Sequence, residues 1–569
     1  MRRDVVLASL LGLLAHCLPS TGQEESVSCS ASTATYETQF RDDLQQFGVQ
    51  ATIGPPDHPI ETPGGALDDN DDDDGYDRKL YDSQAEKVEA VKLAAVPKTK
   101  PKPAAAEVKK SLVLDPSSNF GKWEGWGTSL SWWAKAFGDR DDLANLFFSK
   151  NTQKINGKSL PGLGLNIARY NAGASSDKGY HGYTMQRSPN ARQSRLIDGY
   201  WLNWQSRNPA SSSWDWTVDA NQRSMLKKAK AAGANTFELF SVSPMWWMTY
   251  SHNPSGSVPA GLTDNLQSWN YDAHAIYLSS IAQHARDNWG IDFHSIEPFN
   301  EPSTHWQGDK GKQEGCYFEY GTMGKVLAEL KEKMKNRGLT SLITGVDANK
   351  YDVAIATWQN LDGSSRQTIE KINVHGYQYT AGDRNALYSI AKKNGKVLWQ
   401  SEYGDNDATG KQMCTCILLD FAKLHPTAWV QWQAVDGKSW GLLFGDHEKK
   451  KLGDANMKYF VLAQFSRHVR QGMRILAAPD DNTMAAYDAS AKKLVIVAAN
   501  WDVARTLVFD LSKFSAAGTD GSVVPRWSTQ PEGGDQYVAY KDLKLTKDKL
   551  VAKFSADQIQ TFEIEGVKL

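Results

Sequence analysis

Between Ser111 and about Gly472, short apolar segments alternate regularly with amphipathic helical segments. Such an alternation is typical of a parallel sheet whose strands are connected by helices that cover it. The strand-like segments are Trp123–Thr128, Leu165–Tyr170, Thr236–Ser241, His294–Glu301, Ser341–Val346, Ile372–Tyr377, Val397–Glu402 and Thr427–Ala434. Because eight such units in about 360 residues match the usual size of the fold, the pattern predicts an α/β structure, a TIM (β/α)8 barrel.

The periodicity changes after Gln471, where short strand-like segments follow one another at the spacing of hairpins. Glycines at 518, 521, 533 and 534 separate several of them, which is typical of an all-β unit. We therefore expect a catalytic barrel at 111–472 and an associated C-terminal β-sandwich at 473–569. A strand near Ser111–Leu114, before the barrel, could join the sandwich.

Two of the predicted strands end on a glutamate. Glu301 stands in the run Asn-Glu-Pro at 300–302, and Glu402 is followed by Tyr403 and Gly404. The ends of parallel strands lie on one face of a closed barrel, and that face carries active sites. Two carboxyl groups brought together there are what a retaining glycosidase needs, one as proton donor and one as nucleophile.

These motifs resemble those of glycoside hydrolase family 30. The resemblance runs from about Ser111 to the C-terminus and is closest to the fungal endo-β-1,6-galactanases. It rests on the two glutamate motifs and on four further segments, which are Trp123–Leu130, Asn265–Asn270, Asn373–Tyr377 and Val524–Gln530. It implies a retaining double displacement in which Glu301 is the acid/base and Glu402 the nucleophile.

The same resemblance implies a substrate-binding role for further residues. Asn300 would contact the 2-hydroxyl of the sugar, and His375, Tyr377 and Trp432 would line the central subsite. Arg169, at the end of the second predicted strand, could keep the neighbouring nucleophile ionised by charge pairing and hydrogen bonding.

Each of these residues also has a purely structural interpretation. Arg169 could form a salt bridge below the barrel mouth, and His375 could be a core histidine. Three tryptophans, Trp126, Trp246 and Trp247, could form an aromatic floor for sugar rings or belong to the core, and the sequence does not separate the two.

The N-terminal region differs in composition from the rest of the chain. Residues 1–22 have the basic start, apolar run and small-residue end of a signal peptide, and the apolar run is too short for a membrane anchor. Residues 23–110 contain an acidic run at 68–74 and a Lys/Ala/Pro-rich run at 96–110. Because neither run can bury much apolar surface, we expect a disordered or pro-segment-like arm. The signal peptide predicts a secreted, extracellular protein.

Charge and composition narrow the possible partners. With 64 basic and 66 acidic residues, the chain has no single-sign field that would attract nucleic acid or an anionic membrane. The sequence has no cluster with zinc-ligand spacing and no Gly-rich phosphate loop, so we expect no metal and no cofactor. After cleavage of the signal peptide four cysteines remain, Cys29, Cys316, Cys414 and Cys416, and their pairing stays open. We expect a monomer.

Two classes of function remain. The first is a secreted endo-glycosidase that acts on β-1,6-galactan, or alternatively on another β-glycan such as β-1,6-glucan. The second is a non-catalytic carbohydrate-binding or adhesion protein on a barrel scaffold. The presence of both glutamates favours the enzyme, because a binding protein has no need to keep the pair.

Overall fold

The computed structural model describes residues 109–569 except 259 and 502. The predicted signal peptide, and the predicted arm up to residue 108, lie outside the described residues. No helix in the described part is long and apolar enough to cross a membrane.

The described residues form strands and α-helices in the following order. The strands are β1 (Lys109–Val113), β2 (Gly125–Ser129), β3 (Gln153–Ile155), β4 (Lys158–Leu160), β5 (Ile167–Asn171), β6 (Thr236–Phe240), β7 (Ser295–Glu297), β8 (Leu342–Ala348), β9 (Lys371–His375), β10 (Val397–Tyr403), β11 (Ala428–Gln433), β12 (Val435–Asp436), β13 (Leu443–Asp446), β14 (Lys451–Ala455), β15 (Arg474–Asp480), β16 (Thr483–Asp488), β17 (Lys493–Asn500), β18 (Arg505–Asp510), β19 (Ala516–Ala517), β20 (Val523–Thr529), β21 (Val538–Thr546), β22 (Lys549–Phe554), β23 (Gln558–Glu565) and β24 (Val567–Lys568). The helices are α1 (Trp133–Phe137), α2 (Asp141–Phe148), α3 (Ala220–Ala232), α4 (Tyr271–His284), α5 (Tyr320–Asn336), α6 (Tyr351–Asn360), α7 (Gly363–Thr368), α8 (Arg384–Lys393), α9 (Lys411–Leu419) and α10 (Met457–Ser466).

Eight strands close into a parallel barrel in the order β10-β11-β2-β5-β6-β7-β8-β9. This confirms the predicted (β/α)8 fold, and each predicted strand overlaps an observed one. The fourth strand is shorter than predicted, because β7 ends at Glu297. Pro298 follows it and has no N–H for the sheet, so Glu301 lies on the loop beyond the strand and not at its end.

The C-terminal strands form a nine-stranded sheet in the order β1-β18-β22-β21-β20-β23-β17-β16-β15. It folds over at β21, whose first part pairs with β20 and whose last two residues pair with β22. The two halves enclose a separate apolar core that includes Leu112, Phe509 and Phe562, as expected for a β-sandwich. Strand β1 pairs in parallel with β18. Because β1 begins at Lys109, the last two residues assigned to the arm belong to this strand.

The apolar core of the barrel extends into the half of the sandwich that faces it. A single buried cluster contains Trp126 and Phe465 of the barrel together with Val495, Val497 and Ile559 of the sheet. The sheet half formed by β20, β23, β17, β16 and β15 is therefore covered on one face by the barrel and on the other by the second half of the sandwich.

Polar contacts reinforce this boundary. Gln464 on α10 donates to the Thr529 hydroxyl at 2.8 Å and accepts from the Thr561 hydroxyl at 2.6 Å. His468 Nδ1 lies 2.8 Å from Glu563 Oε1. The last barrel helix is thus fastened to the centre of the sheet by buried groups whose separation would leave them unpaired.

Candidate active site

Charged side chains from different strands meet inside the barrel below its carboxyl-terminal mouth. Arg169 of β5 donates through Nε to Glu238 of β6 at 2.9 Å, and Lys371 of β9 donates to the other oxygen of Glu238 at 2.5 Å. All three side chains are fully buried. Unpaired charges there would be costly, so each group depends on its partners for its position.

Arg169 uses its other two nitrogens towards the mouth of the barrel. Its Nη1 donates to Glu402 Oε2 at 2.8 Å, and its Nη2 donates to Asp347 Oδ2 at 2.6 Å. The guanidinium also lies over the Phe240 ring, 3.9 Å from its centroid. Arg169 therefore connects the buried Glu238 below it to Glu402 and Asp347 above it.

Irregular backbone at three strand ends aims the site residues inwards. The register shifts between Val346 and Ala348, between Gln400 and Glu402, and between Gln431 and Gln433. A bulge re-aims the side chain at its position, and these bulges carry Asp347, Glu402 and Trp432. Val346, Asp347 and Glu301 also have positive φ values of 82°, 35° and 46°, which is strained for side-chain-bearing residues.

Glu301 and Glu402 lie against the same histidine. His375 Nδ1 is 3.1 Å from Glu301 Oε1 and 3.4 Å from Glu402 Oε1. One ligand atom from each of the three residues lies within 4.8 Å of the others. Tyr377 donates its hydroxyl to Glu402 Oε1 at 2.9 Å. This close approach of the two carboxylates fits the short separation of the retaining arrangement better than the roughly 6.5–9.5 Å of inverting enzymes.

The surrounding charges favour a protonated His375. Burial opposes its charge, but the carboxylates of Glu402 and Asp347 outweigh burial and raise the pKa of His375 to about 10. Asp347 also experiences burial, which Arg169 and His375 overcome, so its pKa is lowered. Burial raises the pKa of Glu402, while His375 and Arg169 oppose that rise. A positive imidazole between two carboxyl groups therefore organises the site at neutral pH.

The triad of Glu301, His375 and Glu402 also has the spacing of a metal site. A histidine binds a metal through a neutral ring nitrogen. In the structure, Nδ1 of His375 lies within hydrogen-bonding distance of Glu301 Oε1, at 3.1 Å, so the three side chains form a hydrogen-bonded triad.

The structure brings together most of the side chains predicted for the site. Arg169, His375 and Tyr377 contact one or both glutamates, as described above. Asn300 precedes Glu301, is 3 % exposed, and its buried Oδ1 has no hydrogen-bond partner among the described residues. Trp432 packs edge-on against Trp132, with ring centroids 4.9 Å apart, beside Phe240 at the barrel mouth.

The other three tryptophans lie elsewhere. Trp126 is buried in the barrel–sandwich core, where its indole donates to the Val469 carbonyl at 2.9 Å. Trp246 and Trp247 follow β6 and are also buried, and Trp247 donates to the Trp201 carbonyl at 2.8 Å. All three are buried, so of the two interpretations that the sequence left open, the structure supports core residues over a floor for sugar rings.

Asp347, Glu238 and Lys371 were missed by the sequence reasoning. Asp347 stands one residue after the predicted fifth strand, so the strand-end rule that selected the two glutamates would also have found it. Glu238 and Lys371 lie inside strands, and the signal was a charged residue within an otherwise apolar segment. A charged side chain that points into a barrel is almost always paired with a group of opposite charge.

The three cysteines within the described residues, Cys316, Cys414 and Cys416, are free and buried. Cys29 lies outside the described residues.

Comparisons with known proteins agree with this geometry. Residues 109–405 match the family described as "O-Glycosyl hydrolase family 30". An endo-β-1,6-galactanase of Hypocrea rufa is 59% identical over 459 residues, which are 81% of this chain and 95% of that protein. An exo-β-1,6-galactobiohydrolase of Bifidobacterium longum subsp. longum is 23% identical over 69% of this chain. The match covers 34% of that longer protein.

The fold also has a counterpart among solved structures. The catalytic domain of the GH30 xylanase C from Talaromyces cellulolyticus superposes with a TM-score of 0.60 at 17% identity, over 80% of this chain and 100% of that one. At that identity the similarity supports the fold. Together, the family match and the 59% identical relative show that the chain belongs to O-glycosyl hydrolase family 30.

Proposed function

We propose that this protein is a secreted, retaining endo-glycosidase that hydrolyses β-1,6-galactan through a glycosyl-enzyme intermediate. The observation that carries the reaction type is the contact of Glu301 and Glu402 with one nitrogen of His375. The proposed substrate is inferred from the 59% identical relative, which is an endo-β-1,6-galactanase. Secretion rests on the signal-like residues 1–22.

Glu402 has the surroundings of a nucleophile. Arg169 and Tyr377 each donate to one of its oxygens, at 2.8 and 2.9 Å. Hydrogen bonds and a cation stabilise the ionised form, and they hold the carboxylate in one orientation for attack. In the first step Glu402 attacks the anomeric carbon and forms a bond to it, and the bond from that carbon to the glycosidic oxygen breaks.

Glu301 supplies the proton for the departing oxygen. As the glycosidic bond breaks, Glu301 donates its proton to the departing oxygen and becomes a carboxylate. Once Glu402 is esterified, Glu301 accepts a proton from the water that attacks the same carbon. The second displacement releases Glu402 and restores the proton on Glu301.

Product analysis tests the proposed activity. The mature protein should release short β-1,6-linked galacto-oligosaccharides from β-1,6-galactan and should act far less on β-1,6-glucan or xylan. NMR of the first products should show the β-anomer, since two displacements retain the configuration. Cleavage of β-1,6-glucan at a similar rate would change the substrate, and binding without cleavage would identify a carbohydrate-binding protein.

Azide rescue tests the two roles. With an activated aryl β-galactoside, Glu301→Ala should still form the glycosyl-enzyme, and added azide should yield a β-galactosyl azide. Glu402→Ala should turn over only with azide and should yield the α-galactosyl azide. Products of the opposite configuration would reverse the assignment of acid/base and nucleophile.

A further inference from the structure

Exposed aromatic side chains are concentrated on two loops of the barrel. Among the described residues, five aromatic side chains are strongly exposed, and four of them lie on the loops that follow β5 and β6. They are Tyr183 (51 %), Trp204 (41 %), Tyr250 (51 %) and Trp269 (64 %). We call these four residues the aromatic platform. Exposed aromatic surface gathered in one region marks an interaction site far more often than scattered exposure does.

The platform is held in place by its own contacts. Tyr250 N–H donates to the Asn265 carbonyl at 2.7 Å, and Ser268 N–H donates to the Tyr250 hydroxyl at 3.3 Å. The Tyr250 and Trp269 rings meet edge to face with centroids 5.5 Å apart. The rings are therefore presented on an ordered backbone, so little conformational entropy would be lost when a ligand packs on them.

The two loops form one surface. Tyr183 lies 5.7 Å from Trp204 and 5.5 Å from His252, which belongs to the second loop. Arg207 of the first loop forms an ion pair at 2.8 Å with Asp272, three residues after Trp269. Since β5 and β6 are neighbours in the barrel, their loops lie side by side on the face that carries the active site.

The second loop also packs against the segment that holds Glu301. Trp306 donates its indole N–H to the Glu301 carbonyl at 3.1 Å. Ser257 N–H donates to the Trp306 carbonyl at 3.1 Å. A Cβ added at Gly256 or Gly261 would come within 2.0 or 2.5 Å of Trp306 backbone atoms, so both glycines are needed for this close approach. The platform is thus continuous with the Glu301 side of the site.

We propose that the aromatic platform binds galactan residues beyond the cleaved bond, as an accessory sugar-binding surface of the same enzyme. This inference rests on the proposed function, because the occupant is the remainder of the polymer cut at Glu301 and Glu402. The axial hydroxyl of galactose leaves the C–H bonds of carbons 3, 4 and 5 on one face of the ring. That apolar face packs on flat aromatic side chains.

The polar groups around the rings favour a sugar over a protein partner. The ion pairs Lys178–Asp215 and Arg207–Asp272, both at 2.8 Å, lie on the first loop or join it to the start of α4, and their basic side chains are largely exposed. The core of a protein–protein interface is depleted in such charges. Single rings set among hydrogen-bonding groups suit a ligand that is apolar on one face and hydroxylated at its edge.

The test compares a long and a short substrate. In the full mature enzyme, the double variant Tyr250→Ala/Trp269→Ala should lower kcat/KM on long β-1,6-galactan by roughly tenfold, mainly through KM. On an aryl β-1,6-galactobioside, which is too short to reach the platform, it should change kcat/KM less than about twofold. Trp269→Phe keeps a flat ring and should retain most activity on the polymer.

Phe444→Ala is the matched control, since Phe444 is the fifth exposed aromatic and lies on β13. It should leave both substrates unaffected. No loss on the polymer for the double variant, or an equal loss on both substrates, would overturn the platform. A wild-type enzyme that leaves galactan uncut while it cleaves the aryl glycoside would instead overturn the proposed substrate.

Discussion

At the scale of single residues, Asp347 is connected to both glutamates through their neighbours. Its carboxylate accepts from Arg169 Nη2 at 2.6 Å and from the Ser401 hydroxyl at 2.7 Å, and it lies 3.1 Å from His375 Nε2. Its carbonyl accepts the Glu301 N–H at 2.8 Å. Asp347 is therefore a positioning residue that acts on both carboxyl groups without contact to substrate.

Replacement of Asp347 should change the titration of His375. In Asp347→Asn, His375 loses one of the carboxylates that raise its pKa to about 10, so its charge is lost at a lower pH. NMR of the isotope-labelled imidazole should show this shift, and kcat at neutral pH should fall roughly 10- to 100-fold because the site is misaligned. An NMR titration and steady-state kinetics at neutral pH measure the two effects.

Ser401→Ala is the control for Asp347, because it removes one hydrogen bond to the carboxylate and leaves the charge. In Ser401→Ala, His375 should titrate close to its wild-type value. An Asp347→Asn enzyme in which His375 titrates as in the wild type, at an unchanged melting temperature, would show that Asp347 does not control the charge of His375.

The sequence allowed part of this site to be predicted. Glu301 and Glu402 stood out because each follows an apolar segment at a chain-breaking residue. Arg169 was proposed as a partner of the nucleophile from its place at the end of the second predicted strand. The buried partners below them were not found, because which strand faces which is settled by the closure of the barrel. Lys371 and Glu238 are 133 residues apart in the chain, and no local pattern joins them.

At the scale of elements, a buried carboxyl group fastens the loop after β5 to the loop after β7. Glu314 accepts from the Ser175 hydroxyl at 2.7 Å and from the Ile197 N–H at 3.0 Å. Burial raises its pKa to about 7, although the hydrogen bonds from Ser175 and Ile197 oppose that rise. The position of the β5 loop, which carries half of the aromatic platform, depends on this group.

Glu314 should make stability fall as the pH rises. Its pKa is higher in the folded protein than in the unfolded chain, so the folded state binds the extra proton and is favoured at low pH. The contribution is complete below about pH 4.5 and is lost by about pH 7, a change of about 3 kcal/mol. Glu314→Gln should therefore reduce the difference in unfolding free energy between pH 5 and pH 8, as measured by urea denaturation.

Glu332→Gln serves as the control, because Glu332 lies on the exposed face of α5 with a side chain that is 62% exposed. Its pH dependence should match the wild type. If Glu314→Gln and the wild type lose the same free energy between pH 5 and pH 8, the proton is not held at Glu314.

Elements were predicted well where the period was clear and poorly where proline intervened. The eight strand-like segments predicted for the barrel each overlap an observed barrel strand. Strand β20 contains Pro525, which argues against a central strand. The structure accommodates it at a register shift between Val524 and Arg526, where the ladder is already interrupted and no N–H is required from the proline.

At the scale of the whole molecule, the shared core makes the barrel and the sandwich one folding unit. Buried residues of both belong to a single cluster, and β1, which precedes the barrel, pairs with β18. The sequence predicted both parts from their different periods. It did not reveal that one half of the sheet is covered by the barrel, since tertiary coverage leaves no periodic trace.

Residues 109–569 should therefore unfold in one cooperative transition. An isolated barrel of residues 109–472 should be insoluble, because it would expose the apolar surface that β17 and β23 cover. Differential scanning calorimetry and expression of the two fragments check this. Two resolved transitions, or an active soluble barrel, would show that the sandwich is an independent domain.

The pairing of β1 with β18 also has a consequence for biosynthesis. Lys110 pairs with Leu507, roughly 400 residues later in the chain, so β1 leaves the ribosome long before the strand it joins. At about 5–20 residues per second, it waits roughly 20–80 s while the barrel emerges with its sandwich-facing surface uncovered. Chaperones that shield this surface during that interval should govern the yield of the enzyme more strongly than the stability of its finished fold.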